Sequence, residues 1–364
     1  MKVTVARKEF ADALKFVLKA VAVKTQTPIL AGVYFTAENS TLELQATDYS
    51  LGIISKVAAN VEENGETVII GKKLFEMVLK LTGDTLTITA DDTNAEIKSA
   101  GTKYNLLVLN PADFPKIKQE ESAKEILLLQ SNFKKLLKKT TYAAADDKET
   151  SRMIFKGVLF KFEGENLTLA ATNTHRLAVV TEKISEVANN FEYLIPAKTL
   201  QEISAMLDDT GEIKISFSDK TANFIFDNFF VTTRIISGNF PDFSNLLNSE
   251  RNISVTVSPQ EFLQALERVS IIAKETEYNI ANLDFADNKI KISSSSADVG
   301  KAEEYIPAEI EGGELQISFN YKYLTDVLKV IDAEKIKIGM SGSLAPLDFK
   351  ENNFRYIVTP VRRN

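Results

Sequence analysis

Apolar residues recur along this chain with two periods, and the two periods alternate in blocks. Three segments carry the helical one: EFADALKFVLKAV (Glu9–Val21), NFKKLLKKTTYAA (Asn132–Ala144) and EFLQALERVSIIA (Glu261–Ala273). Phe10, Phe133 and Phe262 share one register, and Leu14, Leu137 and Leu266 share another four residues on. Side chains at i and i+4 lie on one helix face, so each segment is predicted to bury the same stripe. The phenylalanines stand 123 and 129 residues apart.

After each helix the period falls to two, as half-buried strands require. The segments are GVYFTAENSTLELQATD, GVLFKFEGENLTLAATN and NLDFADNKIKISSSSAD, each broken by polar turn residues: Glu38-Asn39, Gly164-Glu165-Asn166 and Asp287-Asn288. A second helix follows, marked by Leu74, Phe75, Val78 and Leu79, then by Leu200, Ile203 and Leu207, and last by Tyr323, Leu324, Val327 and Leu328. More alternating strands come next, and two of the thirds close on related phrases, NPADFPKI and SGNFPDFSNLL. The chain is thus expected to be three copies of a helix–strands–helix–strands unit. Strand runs interrupted by single helices indicate α+β domains rather than a doubly wound sheet. Polar stretches KQEESAKE and NSERN set the boundaries, giving 1–120, 121–248 and 249–364. A chain of 364 residues is also too long for one ordinary core.

Charge refines this picture. The formal net charge is −7, which argues against a surface that clings to nucleic acid everywhere but leaves room for a basic patch. In the helix opening at Ser131, an expected N-cap, Phe133, Leu136, Leu137 and Thr140 are expected to face inward. Lys134, Lys135, Lys138 and Lys139 then face out as a compact stripe. Lys8, Lys15, Lys19, Lys72, Lys73, Lys80, Lys322 and Lys329 echo it on other helices, while acidic pairs such as Glu62-Glu63 and Asp91-Asp92 fall in turns and strands. Any single lysine-rich face reads as solvated surface; its recurrence in equivalent helices suggests one cationic lining that meets phosphates without reading bases.

Signatures of catalysis are sparse. VIIGKKLF lacks the leading glycine of a phosphate-binding loop, and no G-x-S-x-G or H-E-x-x-H occurs. With one histidine (His175) and no cysteine, neither a thiolate nor a two-histidine metal site is available. Asp91-Asp92 reads as a turn rather than a magnesium site. No cofactor and no metal are expected. No stretch reads as a signal peptide or a membrane span, and a cytoplasmic location is expected.

ATNTHRLAVV (Ala171–Val180) resembles the signature of bacterial sliding clamps, the beta subunit of DNA polymerase III, which commonly reads Ala-Thr-Asp-Gly-His-Arg-Leu-Ala. The threefold repeat, FPDF (Phe240–Phe243), FNYKYL (Phe319–Leu324) and TPVR (Thr359–Arg362) match that family in order, over the whole chain. The resemblance implies the DNA-clamp fold: three domains, each of two helices and two small antiparallel sheets, closing as a head-to-tail ring-shaped homodimer with helices lining the hole. It also implies a groove for short linear peptides of the replicative polymerase, the clamp-loader ATPase and repair proteins. By position its wall takes in Phe155, Thr172, His175, Arg176, Leu177, Pro241, Leu246, Asn320, Tyr323, Leu344, Pro360 and Val361. Leu177, Pro241, Leu246 and Val361 would form an apolar pocket, and His175 and Arg176 would fix the peptide. Toward duplex DNA the resemblance points to Lys24, Lys73, Arg152 and Lys198, beside the stripe residues Lys134 and Lys138. At the subunit joint, Tyr104 and Leu106 would meet Ile271 and Ile272 of the partner. Asn173-Thr174 departs from the usual Asp-Gly, Met153 and Ile154 stand where some members place tyrosines, and the chain ends in Arg-Arg-Asn.

The function expected is that of a non-catalytic processivity factor, held on DNA by topology. Two rivals stay open: a peptide-binding scaffold that never encircles DNA, and a hydrolase centred on His175.

Overall fold

The computed structural model describes the chain except residues 23–24, 120–123, 186, 188–189, 277 and 362–364. Lys24 and the Arg-Arg-Asn end therefore lie outside the described residues. Helices form where the 3.6-residue period runs: α1 (Arg7–Val17), α2 (Gly71–Val78), α3 (Gln130–Thr140), α4 (Ala197–Met206), the short α5 (Ser244–Asn248), α6 (Pro259–Ala273) and α7 (Tyr321–Leu328). Phe10, Phe133 and Phe262 are fully buried, as are Leu14, Leu137 and Leu266. The shared registers are thus core registers.

Two compact units are present. The first comprises Met1–Lys134 and Glu202–Ile235. Its twelve-stranded antiparallel sheet runs Lys2–Ala6, Thr85–Ala90, Asn94–Ser99, Thr102–Leu109, Gly65–Ile70, Gly32–Glu38, Thr41–Thr47, Leu51–Glu63, Phe229–Arg234, Thr221–Phe226, Glu212–Phe217 and Lys124–Leu129. Lys2–Ala6 also pairs with Leu51–Glu63, so the first eight strands close on themselves. Helix α1 packs on α2 and across Leu51–Glu63, with Phe10 against Phe35 inside.

The second unit comprises Lys135–Gln201 and Ile236–Asn364. A nine-stranded sheet runs Phe191–Pro196, Gly157–Glu163, Asn166–Thr172, Arg176–Lys183, Phe354–Val358, Leu347–Glu351, Ile336–Met340, Ile253–Val257 and Glu309–Glu311. A four-stranded sheet runs Gly300–Pro307, Lys289–Ser296, Ile280–Ala286 and Leu315–Asn320, and α6 packs on it and on α7. The middle third of the sequence gives strands to both units, because sheet pairing continues through Leu51–Glu63 with Phe229–Arg234 and through Arg176–Lys183 with Phe354–Val358.

Local chemistry sets the turns. Asp287 and Asn288 both take positive φ (50° and 54°), the conformation that right-handed strand twist favours in a two-residue hairpin. The first hairpin turns one residue later than Glu38-Asn39, at Asn39 and Ser40 (φ 48° and 59°). Helix α3 starts at Gln130 rather than after a Ser131 cap. The buried Gln130 amide donates to Asp227 (3.0 Å) and accepts from the Asp208 amide (2.9 Å).

The lysine stripe on α3 is only partly outward. Lys134 donates to the Leu207 carbonyl (2.8 Å), and Lys139 pairs with buried Glu351 (2.6 Å). Lys135 and Lys138 are exposed. Long lysine stems reach acceptors beside the helix, which a side-chain period does not reveal. At Asp91 the carboxylate accepts from the amides of Thr93 and Asn94 (both 2.8 Å), as a turn aspartate does.

Candidate functional site

Most of the expected groove residues fall in the second unit around one turn, which joins Asn166–Thr172 to Arg176–Lys183. The Asn173 side-chain oxygen accepts from the amides of His175 and Arg176 (both 3.1 Å), and the Thr172 hydroxyl donates to the Arg176 carbonyl (2.6 Å). Thr174 sits at φ +79°, a conformation a β-branched residue rarely adopts and one that glycine would take without strain. The Asn173 amide nitrogen donates to Glu149 (2.8 Å) and to the Tyr323 hydroxyl (3.2 Å). An aspartate here would lack that donor and face Glu149 with like charge. This turn leaves His175 exposed, its ring parallel to Tyr323 at 6.4 Å.

Arg176 turns inward and is 8% exposed. Its guanidinium pairs with Asp326 (2.5 Å), donates to the Tyr142 carbonyl and lies over the Tyr323 ring at 4.6 Å. Burial opposes its charge, but Tyr356 and Asp326 outweigh burial and keep its pKa above the ordinary value. Burial likewise raises the Tyr323 phenol. The structure therefore places Arg176 beneath the site, where it fixes Tyr323 and α7.

Beside the turn lies an apolar cluster of Leu159, Ala170, Leu177, Val179, Leu194, Ile236 and Ile357. Ile154, Phe240, Phe243 and Leu247 pack on it. Leu177 is thus buried at the cluster's heart. Pro241 and Leu246 are exposed, while their neighbours Phe240, Phe243 and Leu247 pack on the cluster. Asp348 supports this edge and was missed. It takes a paired bond from Arg355 (3.0 Å to Nε) and an ion pair from Arg251 (3.7 Å), and those arginines donate to the carbonyls of Leu247 (3.1 Å) and Leu246 (3.3 Å). A buried carboxylate within the alternating strand LDFKE was its one signal.

The remaining residues are distributed as follows. Asn320 caps α7 through the Lys322 amide (3.0 Å), the Val361 amide donates to the Ser318 carbonyl (2.8 Å), and Pro360 is half-buried. Leu344 is 73% exposed. Phe155 is buried under the Arg152 guanidinium (4.7 Å). Lys198 is exposed in the second unit, as is Lys73 in the first, where Lys73 pairs with Glu76 (2.8 Å). Tyr104 and Leu106 are half-buried on Thr102–Leu109, a strand whose hydrogen bonding to Gly65–Ile70 covers only its last two residues. In the second unit Ile271 is 66% exposed and Ile272 half-buried.

Successive α+β repeats joined through continuous antiparallel sheets define a protein of the DNA-clamp fold class. Three sequence profiles match in order: DNA polymerase III beta subunit, N-terminal domain, at residues 1–118; central domain, at 127–242; and C-terminal domain, at 244–362. The beta sliding clamp of Bacillus subtilis is 31% identical over 378 residues, covering 100% of both chains. That of Staphylococcus aureus is 29% identical over 376 residues, covering 100% of this chain and 99% of the other. The crystal structure of the Bacillus subtilis DNA polymerase sliding clamp superposes with a TM-score of 0.93 at 30% identity, and that of the DNA polymerase III beta subunit of Thermotoga maritima with 0.91 at 26%, each over 100% of both chains. The chain belongs to the DNA polymerase III beta subunit family.

Proposed function

We propose that the chain is a DNA polymerase processivity factor that closes head to tail with a second copy into a ring around duplex DNA. The carrying observation is the ordered match of all three family domains from end to end. Those limits support clamp domains at 1–120, 121–248 and 249–364. The ring holds by topology, so weak and water-rich phosphate contacts suffice and no base is read. Exposed Lys73, Lys138, Arg152 and Lys198 suit that task. Lys134 contributes less, since its charge is shared with its own unit.

Polymerase, loader and repair proteins dock by short peptides against the Leu177 cluster. Exposed Leu246, next to Leu247 of that cluster, offers apolar contact, as does exposed Leu344, in keeping with a buried anchor and a surrounding seal. The joint between protomers is supported by two open strand edges: Thr102–Leu109, with Leu107 79% exposed, and Gly300–Pro307, which pairs only with Lys289–Ser296 among the described residues. Unpaired edges readily add a strand from another chain. Loading falls to a separate ATPase, and the ring works in the cytoplasm with the chromosome.

Primer extension under single-hit conditions, with a cognate polymerase and loader, tests this. Adding the chain should lengthen the products made per binding event; unchanged lengths would refute it. Longer products that do not require a ring would favour the scaffold instead.

A further inference from the structure

The Thr172–Arg176 turn has a twin in the first unit. There the Thr47 hydroxyl donates to the Leu51 carbonyl (2.9 Å), Asp48 accepts from the amides of Ser50 (2.9 Å) and Leu51 (2.8 Å), and Tyr49 takes φ +70°. Each turn receives an amide from the neighbouring strand: Arg234 to the Ser50 carbonyl (3.0 Å), and Thr359 to the His175 carbonyl (2.9 Å). The sheet registers agree as well. Leu177 stands opposite Ile357 and Ile357 opposite Asp348; Gly52 stands opposite Thr232 and Thr232 opposite Asn223. Even the third wall repeats, as Phe114-Pro115-Lys116-Ile117 in one unit and Phe240-Pro241-Asp242-Phe243 in the other.

The contents differ. In the second unit the place is filled by Leu177, Ile357 and Phe243. In the first it is a cavity of about 290 Å³ lined by Tyr49, Gly52, Lys118, Asn223, Thr232 and Arg234, among others. Glycine lets its walls approach: a Cβ at Gly52 would meet Ile117 Cδ1 and Thr232 Cγ2 at 2.9 Å. Among the described residues no carboxylate lines the cavity, although the chain carries a net charge of −7. Lys116 is already paired with Glu66 (2.9 Å), whereas Lys118 and Arg234 are exposed and enter no ion pair among the described residues. Asn223 is only 4% exposed, lines the cavity, and makes no side-chain hydrogen bond among the described residues. Its counterpart Asp348 holds two arginines.

We propose that this cavity is a second peptide site, which takes a short acidic segment. The proposal rests on the second unit's groove being a peptide site. The buried Asn223 amide offers one donor and one acceptor direction, which matches a peptide backbone; a phosphate supplies acceptors alone. Lys118 and Arg234 then meet carboxylates at the mouth, and the exposed Tyr49 ring flanks them. Polar walls in place of apolar ones make the two sites select different partners.

The test uses the full chain and a fluorescein-labelled octapeptide of alternating glutamate and serine, read by anisotropy at low salt. The parent should bind it, and bind a glutamine–serine counterpart about tenfold or more weakly. Arg234→Glu and Asn223→Leu should each weaken the acidic probe about tenfold, with the thermal midpoint of the exposed Arg234→Glu unchanged. Leu344→Glu, at the other site, should leave it intact. Absence of binding, or loss in Leu344→Glu with retention in Arg234→Glu, overturns the proposal. So does binding of a labelled oligothymidine in place of the peptide. A leucine-anchored peptide titrated in parallel reports on the second unit's groove alone: its failure beside Arg234-dependent binding of the acidic probe removes that groove and leaves this site standing.

Discussion

Arg176→Ala removes the post on which the groove stands, and the structure sets its magnitude. The lost ion pair goes to Asp326, whose side chain is 36% exposed, so solvent screening limits it to about 1 kcal/mol. The Tyr142 carbonyl loses a charged donor, worth about 1.5–3 kcal/mol, and the stack over Tyr323 adds about 0.5–2 kcal/mol. Arg176 Nε is buried without a hydrogen-bond partner among the described residues, and deleting that orphan offsets about 1–2 kcal/mol. The net loss is about 3 kcal/mol, roughly a hundredfold in the unfolding equilibrium. Equilibrium urea unfolding, followed by far-ultraviolet circular dichroism, should show the midpoint falling at unchanged slope. Arg176→Lys keeps the charge but not the planar fork, so it should recover less than half of the loss. An Arg176→Ala midpoint equal to the parent's would refute this account of the buried guanidinium.

Two further outcomes are expected. Burial opposes the Glu351 charge, but Lys139 and the amides of Ala333 and Asp332 outweigh it and hold the carboxyl below its ordinary 4.5. A lowered folded-state pKa gives stability that is present above the unfolded value and lost as pH falls through the folded one. Acid titration below about pH 4.5 should therefore destabilise Glu351→Gln less steeply than the parent; parallel acid limbs would contradict that. Ile271→Asp, on an exposed apolar residue of α6, should yield single chains by sedimentation velocity, whereas an unaltered dimer would show that the joint lies elsewhere.

Much of the repeat was legible because burial imposes a period on the chain. Phe10, Phe133 and Phe262 announce their helices by spacing, and turn residues such as Asp287-Asn288 announce hairpins by their tolerance of positive φ. What periodicity does not carry is pairing between distant strands. Leu51 opposite Thr233 and Arg176 opposite Val358 are contacts across thirds, and they carry sheets on from one third to the next. Direction of reach was equally hidden: Lys134 and Lys139 sit on the outward side of the α3 pattern yet bend to acceptors. At the site, the Ala171–Val180 motif falls on a turn where its threonine, asparagine and arginine have backbone and buried-charge duties, and no period in the sequence announced that turn. The partial burial of Phe240, Phe243 and Leu247 beside exposed Pro241 and Leu246 was not legible, since an irregular segment has no period to tell which of two neighbouring apolar residues faces the sheet.

Retention on circular DNA tests encirclement most directly. The chain is loaded on nicked plasmid, separated from free protein by gel filtration at moderate salt, and followed before and after a single restriction cut. Protein should stay with the closed circles and leave the cut molecules within the dead time of the column. Equal retention on both, or loss from both on raising salt, would mean that the chain grips DNA from one side.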